Sequence, residues 1–184
     1  TLPARNFTLS PRVALNGYVG NAVLSATVGR YTQQAEMEYL AVNPRLRPAS
    51  CWQYNLCVQY ERGGRFGKAE AYYKDYARLP LWEGQMLAAH GFGYSTGLDF
   101  FFIDRASLKN VEYRLSYTYN ISRRRYLDYT ELTTPQYATR HNASLVVKWS
   151  IPRLRLIWGL TDTYASGRPW HNPARPGLMN DEVK

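Results

Sequence analysis

The chain has 184 residues, a formal net charge of +9 and 15% aromatic residues, with a mean hydropathy of −0.46. This length suits one domain with its own core, or part of something larger. Since no apolar run approaches the ~18 residues of a spanning helix, a helical membrane protein is excluded. The start, TLPARNFTLSPR, lacks the features of a signal peptide, so we expect a mature form, an internal fragment or a cytosolic protein.

The basic residues and the cysteines do not form a recognisable binding site. Positive residues are spread along the chain, and their densest cluster, Arg123-Arg124-Arg125, is typical of a solvated loop. Cys51 and Cys57 lie on one predicted strand, roughly 20 Å apart at ~3.3 Å per residue, so they cannot bridge to one another. Zinc-ligand spacings such as CxxC are absent. We therefore expect neither a metal nor a cofactor.

Alternation of polar and apolar residues recurs along the chain and predicts strands. It is clearest in VEYRLSYTYN (111–120), which places Val111, Leu115 and Tyr119 on one face and charged or polar residues on the other. No stretch shows sustained helical periodicity, so the predicted fold class is all-β. The predicted strands are 7–19, 22–32, 51–61, 66–78, 92–103, 110–120, 141–149 and 154–165.

The connections between these strands alternate between short and long. Gly20-Asn21, RGGR, DRASLK and SIPR are short. The others are long: 33–50, 79–91, 121–140 and everything after 165. In an antiparallel up-and-down meander, alternate connections lie at the same end of the sheet. The pattern thus predicts tight turns at one end and large loops at the other, as in transmembrane β-barrels.

Hairpin registers can be predicted because partner residues must share a face. The predicted pairs are Val19 with Ala22, Ile103 with Asn110, and Trp149 with Leu154. The second register also predicts that Asp99 lies directly opposite Arg114, as an ion pair on the polar face. Lys68 and Glu70 share that face on the neighbouring hairpin and could extend the pair into a charge network.

Aromatic residues of the apolar face gather near the strand ends, with aliphatic residues such as Leu56, Leu98 and Leu145 between them. Two aromatic girdles flanking an aliphatic band are typical of the two interfaces of a membrane. The sequence therefore predicts a lipid-facing surface. Its predicted girdle residues are Tyr60, Phe102, Tyr113 and Trp149 near the short turns, and Trp52, Tyr94, Tyr119 and Tyr164 near the long loops.

The opposite face is too polar for a packed core, because charged residues are almost never fully buried unless they are paired. We expect this face to line a watery lumen or to contact a polar plug. The lumen-facing candidates are Arg12, Asn16, Gln53, Asn55, Gln59, Lys68, Glu70, Lys74, Asp99, Glu112, Arg114, Asn142, Ser144 and Lys148.

Several stretches carry a resemblance to a known family. They are GRYTQ (29–33), FGKAEAYYKDY (66–76), GYSTGLDFFF (93–102), ELTTPQYATRHNASLVVKWSI (131–151) and YASGRPWHNP (164–173). Through these stretches, which extend over nearly the whole chain, the sequence resembles TonB-dependent outer-membrane receptors, most closely those of Bacteroidetes-type bacteria.

This resemblance implies a 22-stranded transmembrane barrel with an N-terminal plug. Residues 1–184 would be a partial outer-membrane β-barrel domain, from the C-terminal half, without the plug and the terminal strands. The implied function is TonB-dependent uptake of a scarce nutrient, a siderophore, cobalamin or glycan, in the outer membrane of a Gram-negative bacterium. The implied partners are membrane lipid, the rest of the barrel and its plug, the ligand, and the TonB energising complex through the missing N-terminal part.

Other functions remain as alternatives. A stand-alone eight-stranded barrel with a structural or adhesive role would also alternate in this way. An outer-membrane hydrolase using His141 and Ser144 is disfavoured, because residues three apart on a strand face opposite sides; we expect no enzyme. Nucleic-acid binding needs aromatic and basic residues on one face, whereas here they lie on opposite faces.

Overall fold

A computed structural model describes residues 8–170 of the chain. They form one eight-stranded antiparallel sheet whose spatial order is the chain order, so the predicted all-β up-and-down meander is confirmed. A short helix, α1 (Met37–Val42), lies between β2 and β3. The strands are β1 (Arg12–Val19), β2 (Ala22–Gln33), β3 (Ala49–Arg62), β4 (Arg65–Glu83), β5 (Met86–Asp104), β6 (Val111–Arg125), β7 (His141–Ile151) and β8 (Leu156–Ala165).

The β1–β2 and β3–β4 turns close where the sequence places glycine. Gly20 has a φ of 58°, and Gly63 and Gly64 have φ values of 57° and 78°. These left-handed conformations strain residues that carry a Cβ, which is why glycine closes tight hairpins. The predicted hairpins at these two turns are confirmed. The predicted first strand starts at residue 7, which lies outside the described residues.

The long loop predicted over 79–91 is wrong. β4 continues to Glu83 and β5 begins at Met86, so Gly84 (φ 65°) closes a tight turn. The connection lengths therefore do not alternate strictly. The other internal long connections are confirmed, although they are shorter than predicted, because β3 starts at Ala49 and β6 runs on to Arg125.

Pro80 made this segment resemble a loop, because proline lacks the N–H that a sheet ladder needs. The structure accommodates it through register shifts on either side of Leu79. The loop after β6 then reinforces the strand: the Leu127 N–H donates to the Pro80 carbonyl at 2.6 Å, and the Trp82 N–H donates to the Leu127 carbonyl at 3.0 Å. Partners distant in sequence therefore extend the strand.

The predicted register of β1 and β2 is confirmed, with Val19 opposite Ala22. Two other predicted registers are wrong by four residues. Ile103 lies opposite Arg114 instead of Asn110, and Trp149 lies opposite Trp158 instead of Leu154. Because four is even, every side chain still points to its predicted face.

The loops pack against one another and against the β4–β5 hairpin, at the end of the sheet opposite the turns that follow β1, β3, β5 and β7. Leu46, Leu81 and Leu87 are 3%, 2% and 4% exposed, and Tyr129 and Ala138 are also buried. These residues come from the loop before β3, the β4–β5 hairpin and the loop before β7. A small apolar cluster thus fixes the loop end of the sheet.

The sheet is open. In the described part of the chain, β1 pairs with β2 alone and β8 pairs with β7 alone. All residues of both outer strands are exposed.

Candidate functional site: the two faces of the sheet

The register sorts the predicted site residues cleanly onto two faces. All eight predicted girdle residues lie on one face, which we call the apolar face. All fourteen predicted lumen residues lie on the other, the polar face. One cross-strand row illustrates the polar face; it runs from Asn16 through Ser25, Cys57, Glu70, Asp99 and Thr118 to Asn142.

Exposure of the two faces is the reverse of that in a soluble protein. Leu56 and Leu98, on the apolar face, are 65% and 57% exposed. Their neighbours along the strands, Asn55 and Asp99 on the polar face, are only partly exposed. Soluble monomers rarely expose contiguous apolar patches of this extent. The apolar face therefore needs an apolar environment or partner.

The hairpin turns are staggered regularly across the sheet. Ala22, at the β1–β2 turn, lies opposite Tyr60, two residues before the β3–β4 turn begins after Arg62. The β3–β4 turn is in register with Val147, four residues before β7 ends at Ile151. From the β1–β2 turn to the β7–β8 turn, the line of turns is therefore displaced by two and then four residues. This is six residues over six strands, or one residue per strand.

This stagger fixes an angle. One residue along a strand is ~3.3 Å and one strand across is ~4.8 Å, so the line of turns is inclined by about 35° to the perpendicular of the strands. Strands that close into a barrel tilt by about 35–45° and are staggered in this sense. The sheet has the inclination of a barrel wall.

The aromatic residues follow the same line. Near the turns, Tyr60 and Phe102 share a cross-strand row. Tyr113 lies two residues closer to the turn end than this row, and Trp149 lies four residues closer. We call these four residues the turn-end belt. The loop-end belt consists of Trp52, Tyr94, Tyr119 and Tyr164. Between β3 and β8, this belt shifts by six residues toward the turn end of the sheet, relative to the cross-strand rows. On average, both belts therefore descend by about one residue per strand, as the line of hairpin turns does.

The distance between the belts is the same on two strands. Trp52 and Tyr60 are eight residues apart on β3, as are Tyr94 and Phe102 on β5. Eight residues span about 26 Å along a strand, or about 22 Å once a 35° tilt is included. The apolar band of transmembrane barrels is about 25 Å tall.

On the polar face, small residues of β5 let side chains of its two neighbours meet. The Tyr72 hydroxyl reaches over Gly97 and donates to Asn120 Oδ1 at 3.2 Å, and the Ser95 hydroxyl donates to the same oxygen at 2.9 Å. Four residues further along the same two strands, the Arg124 guanidinium lies 4.2 Å from the centre of the Tyr76 ring. These bridges fix the polar face locally.

The predicted ion pair between Asp99 and Arg114 is wrong. The two residues share the polar face, but Asp99 lies opposite Glu70 and Thr118. Arg114 instead pairs with Glu112 on its own strand, at 2.6 Å. The four-residue shift of the β5–β6 register is the reason. Lys68 pairs with Glu70 at 2.8 Å, beside Asp99.

Asp104 organises the turn between β5 and β6 and is 2% exposed. It accepts hydrogen bonds from the N–H groups of Ala106 and Ser107, from the Ser107 hydroxyl and from the Tyr113 hydroxyl. It also pairs with Arg65 at 3.1 Å. The Ser107 hydroxyl and these other donors hold the pKa of the carboxyl well below its usual range.

Sequence reasoning missed the roles of Gly97, Tyr72 and Asp104. The strict alternation of small residues in GFGYSTG (91–97) was a usable signal, because three glycines and Ser95 fall on one face. Asp104 carried the usual signal of an aspartate that begins a turn and binds the following N–H groups. The partners themselves come from other strands, so no local pattern identifies them.

The residues considered for catalysis or metal binding do not come together in the described part of the chain. His141 lies opposite Tyr119 on the apolar face and Ser144 lies opposite Ser116 on the polar face, so the disfavoured pair is on opposite faces. Cys51 and Cys57 are free thiols on β3. Within residues 8–170, no group of three or more His, Cys, Asp or Glu side chains is placed to hold a metal ion.

Within the same residues, no helix is long and apolar enough to cross a membrane. No protein-family model and no curated protein sequence matches the chain. Its function must therefore be inferred from the geometry of the two faces.

Proposed function

We propose that this chain forms part of the wall of an outer-membrane β-barrel in a Gram-negative bacterium. The apolar face would contact lipid and the polar face would line the lumen. The observation that carries the proposal is the course of the two aromatic belts. They cross the sheet obliquely, parallel to the line of turns.

A membrane has two parallel interfaces, and tyrosine and tryptophan concentrate at both. In a wall of tilted strands, the residues at one membrane depth do not share a cross-strand row. Their positions are displaced from each strand to the next by the same stagger as the turns. A soluble sandwich provides no reason for two parallel lines of aromatics on its most exposed face. The spacing of about 22 Å between the belts, with aliphatic residues such as Leu56 and Leu98 between them, agrees with an apolar membrane band.

The polar face suits a water-filled or plugged lumen. Its ion pairs, such as Lys68 with Glu70 and Arg114 with Glu112, are partly exposed and remain hydrated. The unpaired backbone edges of β1 and β8 would be costly in lipid. Pairing with further strands of a larger barrel would remove both edges.

The resemblance to TonB-dependent receptors extends this proposal to uptake. The chain would then supply wall and outer loops of a receptor for a siderophore, cobalamin or glycan, energised from the inner membrane through other parts of the protein. Deleting its gene should reduce growth when one of these nutrients is limiting. Inactivating the energising complex should have the same effect, and growth that depends on the gene alone would contradict the uptake proposal.

Depth-dependent fluorescence quenching tests the membrane placement. In a variant whose tryptophans are replaced by phenylalanine, Leu56→Trp should be quenched strongly by lipids brominated near the bilayer centre. Asn55→Trp, at the same depth on the polar face, is the matched control and should be quenched far less. Equal and weak quenching at both positions would contradict a membrane wall.

A stand-alone eight-stranded barrel has a distinct outcome. It requires β1 to pair with β8. With the stagger of one residue per strand, closure places Leu15 opposite Trp158, so cysteines at these two positions should then form a disulfide within one chain. Their failure to cross-link, together with quenching at position 56, would support a wall that other strands complete.

A further inference from the structure

A polar pocket lies at the loop end of the sheet, where β6 extends beyond the start of β7. Its volume is about 500 Å³. Two residues of the loop-end belt, Tyr94 and Tyr119, line it together with the basic residues Arg123, Arg140 and His141. The pocket therefore combines positive charge with the depth at which membrane headgroups lie.

The backbone contributes to this pocket. The N–H groups of Asn120 and Arg124 point away from β5 and donate to the carbonyls of Arg140 and Thr133, at 2.9 and 2.8 Å. Alternate N–H groups of a strand point the same way, so the Ser122 N–H between them is directed into the gap where the neighbouring chain has moved away. Backbone N–H groups and arginine side chains are the usual donors to phosphate oxygens.

His141 is fixed in place at the wall of the pocket. Its Nδ1 lies 2.8 Å from the Tyr117 hydroxyl, and its ring centre lies 5.1 Å from that of Tyr119. The Ser166 hydroxyl accepts hydrogen bonds from the N–H groups of Arg140 and His141, at 3.0 Å each. The His141 side of the pocket is therefore anchored to β6 and to the segment after β8.

An apolar groove of about 700 Å³ begins beside this pocket and runs over the apolar face. Tyr119 lines both cavities. A second groove, of about 940 Å³, continues from the first, and Leu56, Ala71 and Leu98 line both. The small side chain of Ala71 lies between the two leucines in the cross-strand row, which leaves room for a flexible chain.

We propose that the pocket and the grooves together bind one anionic membrane lipid, whose headgroup phosphate gives it a net negative charge. The phosphate would lie among Arg123, Arg140, His141 and the Ser122 N–H, and the acyl chains would lie in the grooves. The charge of the pocket and its continuity with an apolar groove select an amphipathic anion over either a free anion or an uncharged lipid. This inference depends on the proposed membrane placement.

Native mass spectrometry of the whole chain in detergent micelles tests the site. The probes are didodecanoyl phosphatidic acid, the phosphatidylcholine with the same chains, and inorganic phosphate. Phosphatidic acid should bind about tenfold or more tightly than either, because a charge-assisted contact and an apolar contact both contribute. Equal affinity for phosphatidic acid and phosphatidylcholine would overturn the proposal. Equal affinity for inorganic phosphate would reduce the site to one for a free anion and overturn the lipid assignment.

Arg123→Gln should weaken phosphatidic acid binding about tenfold, and Arg123→Lys should retain most of it. Arg30→Gln is the matched control, because Arg30 lies in the same cross-strand row, four strands away from Arg123. Ala71→Trp fills the groove and should weaken phosphatidic acid binding while leaving any phosphate binding unchanged. Insensitivity to both Arg123→Gln and Ala71→Trp would overturn the proposal.

The quenching of Leu56→Trp separates this inference from the proposed function. If Leu56→Trp is strongly quenched but lipid binding does not depend on Arg123, the lipid site is overturned and the membrane placement stands. Absence of quenching would contradict the membrane placement, whatever the lipid affinity.

Discussion

Leu56 occupies the midpoint between Trp52 and Tyr60 on β3, and it is among the most exposed leucines of the apolar face. If the belts mark two interfaces, this side chain lies at the centre of the bilayer. Leu56→Arg should then lower the free energy of unfolding in lipid vesicles by about 2–4 kcal/mol. Denaturant titration followed by tryptophan fluorescence measures the change.

The control for this substitution is Cys57→Arg, the next residue along β3. Cys57 lies on the polar face, opposite Glu70, so an arginine there gains a nearby carboxylate. Its effect should be much smaller. Similar losses for both variants would mean that the two faces meet the same environment.

Gly97 is the residue over which β4 and β6 side chains meet. A Cβ at this position would lie 2.5 Å from the Tyr72 hydroxyl oxygen and would also clash with the Tyr119 carbonyl oxygen. Because the carbonyl belongs to the backbone and cannot rotate away, Gly97→Ala should lower the free energy of unfolding by about 1–3 kcal/mol. Gly17→Ala is the control, since a Cβ there meets nothing within 4 Å. Equal effects would show that the close packing over β5 is not restrictive.

At the level of single residues, the sequence predicts the face of a side chain but not its partner. The period of two fixes whether Asp99 and Arg114 share a face, and they do. Their separation along the strands depends on the length of the turn. That length depends on how Asp104 binds the turn amides, which alternation does not encode.

The turn between β5 and β6 should make stability depend on pH. Asp104 has a pKa below its unfolded value, so its ionised form stabilises the fold above about pH 4, and this contribution is lost as the pH falls. Asp104→Asn has no carboxyl to ionise and should lack it. The unfolding midpoints of the two proteins should therefore differ at pH 7 and approach each other below about pH 4. A constant difference from pH 3 to pH 7 would rule out this role.

The β4–β5 hairpin shows why element bounds were only partly predictable. Pro80 and Arg78, whose φ is 60°, interrupt the local pattern and suggest a loop. The strand persists because Leu127, from a loop distant in sequence, supplies hydrogen bonds to its backbone. Tertiary partners thus override a local break, as they do for strands more generally.

For the whole molecule, the turns after β1, β3, β5 and β7 lie at one end of the sheet, and the packed loops with the β4–β5 turn lie at the other. If the sheet is a membrane wall, as proposed, we expect the loop end to face outward from the cell, as it does in transmembrane barrels. In a background with Cys51→Ser and Cys57→Ser, a membrane-impermeant maleimide should label Glu131→Cys on intact cells. Leu108→Cys, in the β5–β6 turn, should be labelled after lysis only. The opposite pattern would reverse the orientation.

The order of the strands was predictable because every connection joins neighbours in a meander, and alternation reveals each strand. The openness of the sheet was not, because it depends on the pairing of β1 and β8, which lie far apart in sequence. The packed loop end, with Leu46, Leu81 and Tyr129, was also hidden, since loops lack a period.

The one-residue stagger also sets how much perimeter each strand occupies. A strand ~4.8 Å wide that tilts by about 35° covers about 6 Å of circumference, so eight strands cover about 47 Å. Closed on themselves, they would form a ring about 15 Å across, whose interior side chains fill. As eight of 22 strands, they would be roughly a third of a ring about 41 Å across. Each strand added to this wall therefore widens the perimeter by the same 6 Å, and strand number alone sets the size of the pore.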